Sequence, residues 1–328
     1  MSVLSKVERF CRKNAIVPIL ILFFVISSVV TPKFLTPGNL RNVLTQAAIN
    51  GIMAVCATFL IINGYRDLSV GTLMGLSAAL VITLQSKSMA LGIVLAFVVA
   101  LLVGFINGFL VVRVGINTFI ATLATMLGCR GILFIYTNGQ TFSGTNYAFA
   151  EFGSGFFLGL SNLVWVFIAL LVVAFYVLRY TMHGRNTYAV GGNPEAASNA
   201  GINVARTTIA NFMICSLGAC LGGILMAARS FSSYPTMGWP NTHFIVIVMV
   251  VLGGTKLSGG VGNVLYTVGG ALAITIYENV LILLEINPYV NPLLTGLILI
   301  GTLYLDSVLK VDTRKLDRQK KTITASAG

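Results

Sequence analysis

The chain has 328 residues, of which 56% are hydrophobic and only 9% charged. Water-soluble domains carry about 25% charged residues, and a fold of this length could not hide so much apolar surface from water. Lipid is therefore the main solvent, and the net charge of +12 reads as topology-setting rather than nucleic-acid-binding, because the basic residues cluster at the ends of apolar runs and in the C-terminal tail.

In chain order, Lys6, Arg9, Arg12 and Lys13 precede an apolar run at 16–30 that is followed by Thr31-Pro32-Lys33. No small-residue cleavage site follows, so this reads as an uncleaved first span. Candidate spans of about 20 residues then fall at 15–31, 40–62, 67–86, 89–112, 117–137, 162–179, 205–228, 242–255, 262–284 and 289–306. The expected fold is all-α, a polytopic transmembrane bundle of about ten spans with re-entrant or broken helices. One domain would cover 1–310, and 311–328 would be a disordered tail. With the N-terminus inside, only Lys33, Arg41, Lys87 and Arg229 lie outside and Arg130 lies within a span. The remaining Lys and Arg fall inside, which puts both termini in the cytoplasm.

Spacings of GxxxG form occur at Gly71/Gly75, Gly104/Gly108 and Gly218/Gly222 and predict close helix contacts. The five cysteines form no metal-ligand spacing, and the two histidines form no local metal motif. No GxxxxGK[ST], GxSxG or HExxH occurs, so neither nucleotide hydrolysis nor another catalytic constellation is legible.

Three segments interrupt the apolar pattern. Around 63–71, Arg66 and Asp67 form a charged break, and Asp67 with Ser69 reads as a cap for the next helix, ahead of Gly71. A cap-and-loop role and a gating role both fit. Around 251–262, Gly253, Gly254, Gly259 and Gly260 surround Lys256, which predicts a tight turn or re-entrant loop covered by protein or water. The loop 181–204 carries Arg185 and Gly192, then Asn193 as an N-cap, Pro194 at the first helical position and Glu195 at the positive end. Two turns through Ala196 and Ala197 should end at Gly201. Such a small-sided helix is suited to dock in a groove of another protein.

Glu195-Ala196-Ala197 followed by three residues and Gly201 matches the EAA signature of importer permeases. Together with GYRDLSVG, YAVGGNPEAA and VLGGTKLSGGVGNV, the chain resembles the ribose/galactoside/arabinose-type permeases of bacterial ATP-binding-cassette importers over about residues 30–306. The resemblance implies a multi-pass inner-membrane protein whose 181–204 loop couples to an ATPase subunit. It also implies a second permease copy, identical or a sister, and a periplasmic sugar-binding protein. No cofactor is expected in this chain, Mg-ATP belonging to the ATPase partner. Two residues depart from the family pattern: Arg66, where an apolar residue is usual, and His243, near a commonly acidic position.

For a solute path the sequence offers Asn50, Asn107, Asn117, Thr118 and Asn211, each of which could equally serve as an interhelical hydrogen bond. Arg130, mid-span, is expected to face the interior or snorkel outward, either in an ion pair with Glu278 or Glu285 or in contact with solute. The alternatives to an importer are a self-sufficient secondary carrier, for which few midplane ionisable residues are available, and a lipid-modifying membrane enzyme, for which no acid–base set is visible.

Overall fold

The computed structural model describes residues 16–287 and scattered positions from 290 to 301. Among these, helix dominates: α1 (Ile16–Val30), α2 (Pro37–Ile62), α3 (Val70–Leu84), α4 (Met89–Phe109), α5 (Thr118–Thr137), α6 (Tyr147–Ser154), α7 (Asn162–Tyr180), α8 (Met182–Gly192), α9 (Pro194–Asn199), α10 (Val204–Ser230), α11 (Thr242–Leu252) and α12 (Val264–Leu283). Local chemistry sets the starts. Proline opens α2 and α9, and Ser88, Asn117, Ser161, Asn203 and Asn263 each accept a hydrogen bond from an otherwise free amide of the following helix.

Six helices are long and apolar enough to cross a bilayer: α2, α4 extended by the π turn Leu110–Val114, α5, α7, α10 and α12. The chain is a multi-pass membrane protein. Nine of the ten expected spans coincide with helices among the described residues, but α1, α3 and α11 are short. The tenth, 289–306, lies mostly outside the described residues, as do the 1–15 segment, the tail and the expected boundary at 310. The first compact unit ends at Ile286 and the second begins at Asn287.

Burial runs from the centre outward. The apolar window of α2 is 94% buried, whereas that of α4 is 22% buried. Ile135 on α5 and Val172 on α7 stay exposed, as a lipid-facing surface requires. The three GxxxG pairs all mark close approaches. Gly104 and Gly108 seat on Met213 and Ile209 of α10, Gly218 and Gly222 on Cys56 and Met53 of α2, and Gly71 and Gly75 on the backbone of Gly238 and Met237. Without side chains there, backbones come together and dispersion replaces the missing hydrophobic drive.

At one end of the bundle, β1 (Phe142–Ser143) pairs antiparallel with β4 (Ser232–Ser233), and β2 (Phe156–Phe157) with β3 (Leu160–Ser161). The opposite end gathers α8, α9 and the turn between α11 and α12.

Candidate functional site: a glycine junction and a polar cavity

The three sequence motifs meet at one junction. The Gly260 amide donates to the Ile62 carbonyl at 2.8 Å, tying the α11–α12 turn to the end of α2. Gly191 wedges between them: a Cβ there would overlap the Ile62 carbonyl oxygen, and Gly259 lies less tightly against Gly191 and Gly64. Gly260 has φ +75°, a left-handed backbone that a side chain would strain. Arg66 reaches across to the Leu257 carbonyl at 2.9 Å, and the Tyr188 hydroxyl donates to the Gly262 carbonyl at 2.8 Å. Burial pushes the Tyr188 hydroxyl up in pKa while Arg179 pulls it the other way.

From this knot α9 projects. Asn193 Oδ1 accepts from the amides of Glu195 and Ala196, both at 3.0 Å. Gly201 closes the segment at φ +82°. Ala197 is buried, while Glu195, Ala196, Gly192 and Arg185 are exposed. The polar loop expected over 181–204 is half helix, α8. Its Thr187 and His183 hold Asn211 of α10, the histidine at 2.9 Å. Lys256 and Gly254 are exposed at the α11–α12 turn, and Gly253 is buried against Tyr266 and Thr267 of α12.

Arg66 and Asp67, adjacent in sequence, part company. Arg66 stays exposed, while Asp67 is 4% exposed. The Asp67 carboxylate accepts from the Ser69 amide at 2.8 Å and the Ser69 hydroxyl at 2.6 Å, with the Asn107 amide at 3.4 Å. The cap expectation is refined accordingly: helix α3 starts at Val70, and the buried carboxylate ties Asn107 of α4 to the turn ahead of α3.

Toward the strand-bearing end lies a cavity of about 340 Å³ lined by Gln46 and Asn50 of α2, Tyr234, Thr236 and Trp239 of the 231–241 segment, Thr242 of α11 and Glu278 of α12. Its floor follows from a broken helix. Helix α11 has 11 residues, about 16 Å at 1.5 Å per residue, or half the roughly 30 Å hydrocarbon core. The chain therefore re-enters the bundle as irregular backbone, seated by Gly238 on Gly71 and by Met237 on Gly75. Turn bonds from Met237 to Tyr234 and from Trp239 to Thr236 satisfy part of that backbone. The break expected around 251–262 is thus matched by a second one at 231–241, which the sequence reading placed in a connection.

Of the five proposed path residues, Asn50 lines this cavity. Asn107 and Asn211 are committed to the bonds above, Asn117 caps α5 through the Phe119 amide, and Thr118 is the first residue of that helix. Arg130 does not pair with a carboxylate among the described residues. Its guanidinium lies 3.7 Å from the Trp239 ring centroid and 5.5 Å from that of Phe134, a cation–π stack. His243 is buried in the first turn of α11 beside Phe244. Gln46, Tyr234, Trp239, Thr242 and Glu278 escaped the sequence reading as path residues. Glu278 carried the one available signal, an acidic residue well inside an apolar helix.

A multi-pass bundle with a backbone junction at one end and a polar cavity along its core defines a membrane permease. A family model described as "Branched-chain amino acid transport system / permease component" matches residues 39–303, and the chain belongs to that family. Among its relatives, the ribose import permease protein of Bacillus subtilis (strain 168) is 38% identical over 291 residues, covering 88% of this chain and 90% of the relative. That of Escherichia coli (strain K12) is 35% identical over 302 residues, covering 90% and 94%. The L-arabinose transport system permease protein of the same strain is 33% identical over 288 residues, covering 87% of each. No solved structure matches.

Proposed function

We propose that this chain is the membrane-spanning subunit of an ATP-binding-cassette importer that carries a monosaccharide or sugar-like solute into the cytoplasm. The carrying observation is the likeness, over nearly its whole length, to permeases named for ribose and L-arabinose. In this reading the protein sits in the bacterial inner membrane with the junction end inside. It pairs with a second permease copy, receives solute from a periplasmic binding protein and docks α9 on an ATPase subunit that binds Mg-ATP. Arg185 and the segment from Gly192 to Gly201 form the contact. The turns around Gly71 and Gly259 shift against each other as the bundle alternates between outward- and inward-open forms.

Deleting 193–201 tests the proposal: uptake of labelled sugar should vanish while the permease still reaches the membrane. Uptake that survives the deletion and collapses with a protonophore at constant ATP would instead support a secondary carrier.

A further inference from the structure

We propose that the cavity between α2, the 231–241 segment and α12 is the solute site, and that it is built for a neutral polyhydroxylated ring whose hydroxyls donate to Glu278. The inference rests on the import reading and adds the chemistry of the cargo. Polar side chains inside a protein almost always have partners. Here Asn50, Tyr234, Thr236, Thr242 and Glu278 all open on one cavity, and among the described residues none of their side chains has a hydrogen-bonding or ionic partner. Gln46 accepts from Arg229 through its carbonyl oxygen, and its amide N–H groups have no partner among the described residues.

The set is complementary to vicinal hydroxyls. A carboxylate accepts two O–H groups, amides both donate and accept, and the threonine and tyrosine hydroxyls follow either role. Trp239 supplies an aromatic surface for the C–H face of a ring. Arg130 stacked on that indole makes it a positioning residue. The volume, about 340 Å³, falls at the small end of ligand pockets, which run from about 300 to 1,000 Å³, so one ring fits better than an oligomer.

Charge separates this cargo from the amino acids in the family model's description. A zwitterion needs a cation for its carboxylate, and among the described residues no basic side chain lines this cavity. The guanidinium groups behind its wall already have partners, that of Arg229 in Gln46 and Asn42 and that of Arg130 in the Trp239 ring. An aldonate or amino acid would instead bring its own carboxylate against that of Glu278.

The test uses cells carrying the complete importer and competition among D-ribose, L-arabinose, the matching aldonates and leucine. Wild type should favour a neutral sugar. Glu278→Ala should raise KM about tenfold or more, the loss expected for a charged hydrogen bond, with maximal rate far less affected. Glu278→Gln keeps the shape and removes the charge, so it should retain sugar uptake and admit the aldonate. Asn50→Ala should raise KM without admitting it. A wild type preferring leucine or an aldonate overturns the proposal. So does a Glu278→Gln permease with unchanged KM and selectivity, which would mean that the cavity holds only water. If the 193–201 deletion still abolishes uptake in that case, the import reading stands and only the site assignment falls.

Discussion

The junction and the cavity solve opposite problems with the same residue type. At the junction, Gly191, Gly259 and Gly260 let three backbones touch, and carbonyl oxygens meet amides directly. In the cavity, Gly71 and Gly238 let two backbones touch so that polar side chains beside them remain unpaired. One region is saturated and packed without slack. The other leaves polar side chains without partners among the described residues, as the proposed solute site requires. Stability is concentrated in the first, and readiness to bind in the second.

Changes at the two regions should therefore differ in size and in sign. The largest effect is expected at the junction. Gly191→Ala drives a methyl into the Ile62 carbonyl and should cost about 3 kcal/mol or more through overpacking, read as a fall in thermal unfolding midpoint of the purified protein. Gly192→Ala, with open space around it, should stay within about 0.5 kcal/mol. A similar loss in both would break the comparison. Next, Asp67→Ala removes the acceptor for Ser69 and should cost about 1.5–3 kcal/mol, whereas Asp67→Asn keeps an acceptor and should lose clearly less in the same unfolding assay.

The cavity should respond with the opposite sign. Asn50→Leu replaces an amide without a described partner and should raise stability by about 1 kcal/mol, while labelled-sugar uptake falls; a destabilised variant would place Asn50 among the structural residues. Asn193→Ala removes the cap of α9 and should cost about 1 kcal/mol locally, detected as faster amide exchange at Glu195 and Ala196, with Asn193→Asp restoring protection. Smallest of all, Arg66→Ala deletes one exposed bond to Leu257 and should shift the unfolding midpoint by no more than about 0.5 kcal/mol.

Local chemistry was readable in advance. The Asn193 cap, Pro194 and the Gly201 stop depend on neighbours within eight residues, and the structure has all three. The six long spans follow from apolar run length in the same way. Long-range pairing was not readable. Nothing in the 181–204 sequence reveals that Gly191 meets Ile62, or that Asn211 belongs to His183 and Thr187 and not to a solute. Arg130 was assigned a carboxylate on charge alone, and the indole that receives it lies 109 positions onward in a segment read as a connection. The 242–255 run is short for a span on its length alone, but the cause, a chain that starts its helix halfway down, is a property of depth that sequence does not carry.

Helix α10 reaches both regions as one unbroken rod. Its Thr208 receives Asn63 near the knot, and its Met226 lines the cavity about 27 Å away along the axis at 1.5 Å per residue. Gly218 and Gly222 press on α2 in between. Were α10 to tilt about these contacts as a rigid rod, its two ends would move in opposite senses, so a displacement beside Asn63 would be matched by one at the Met226 wall.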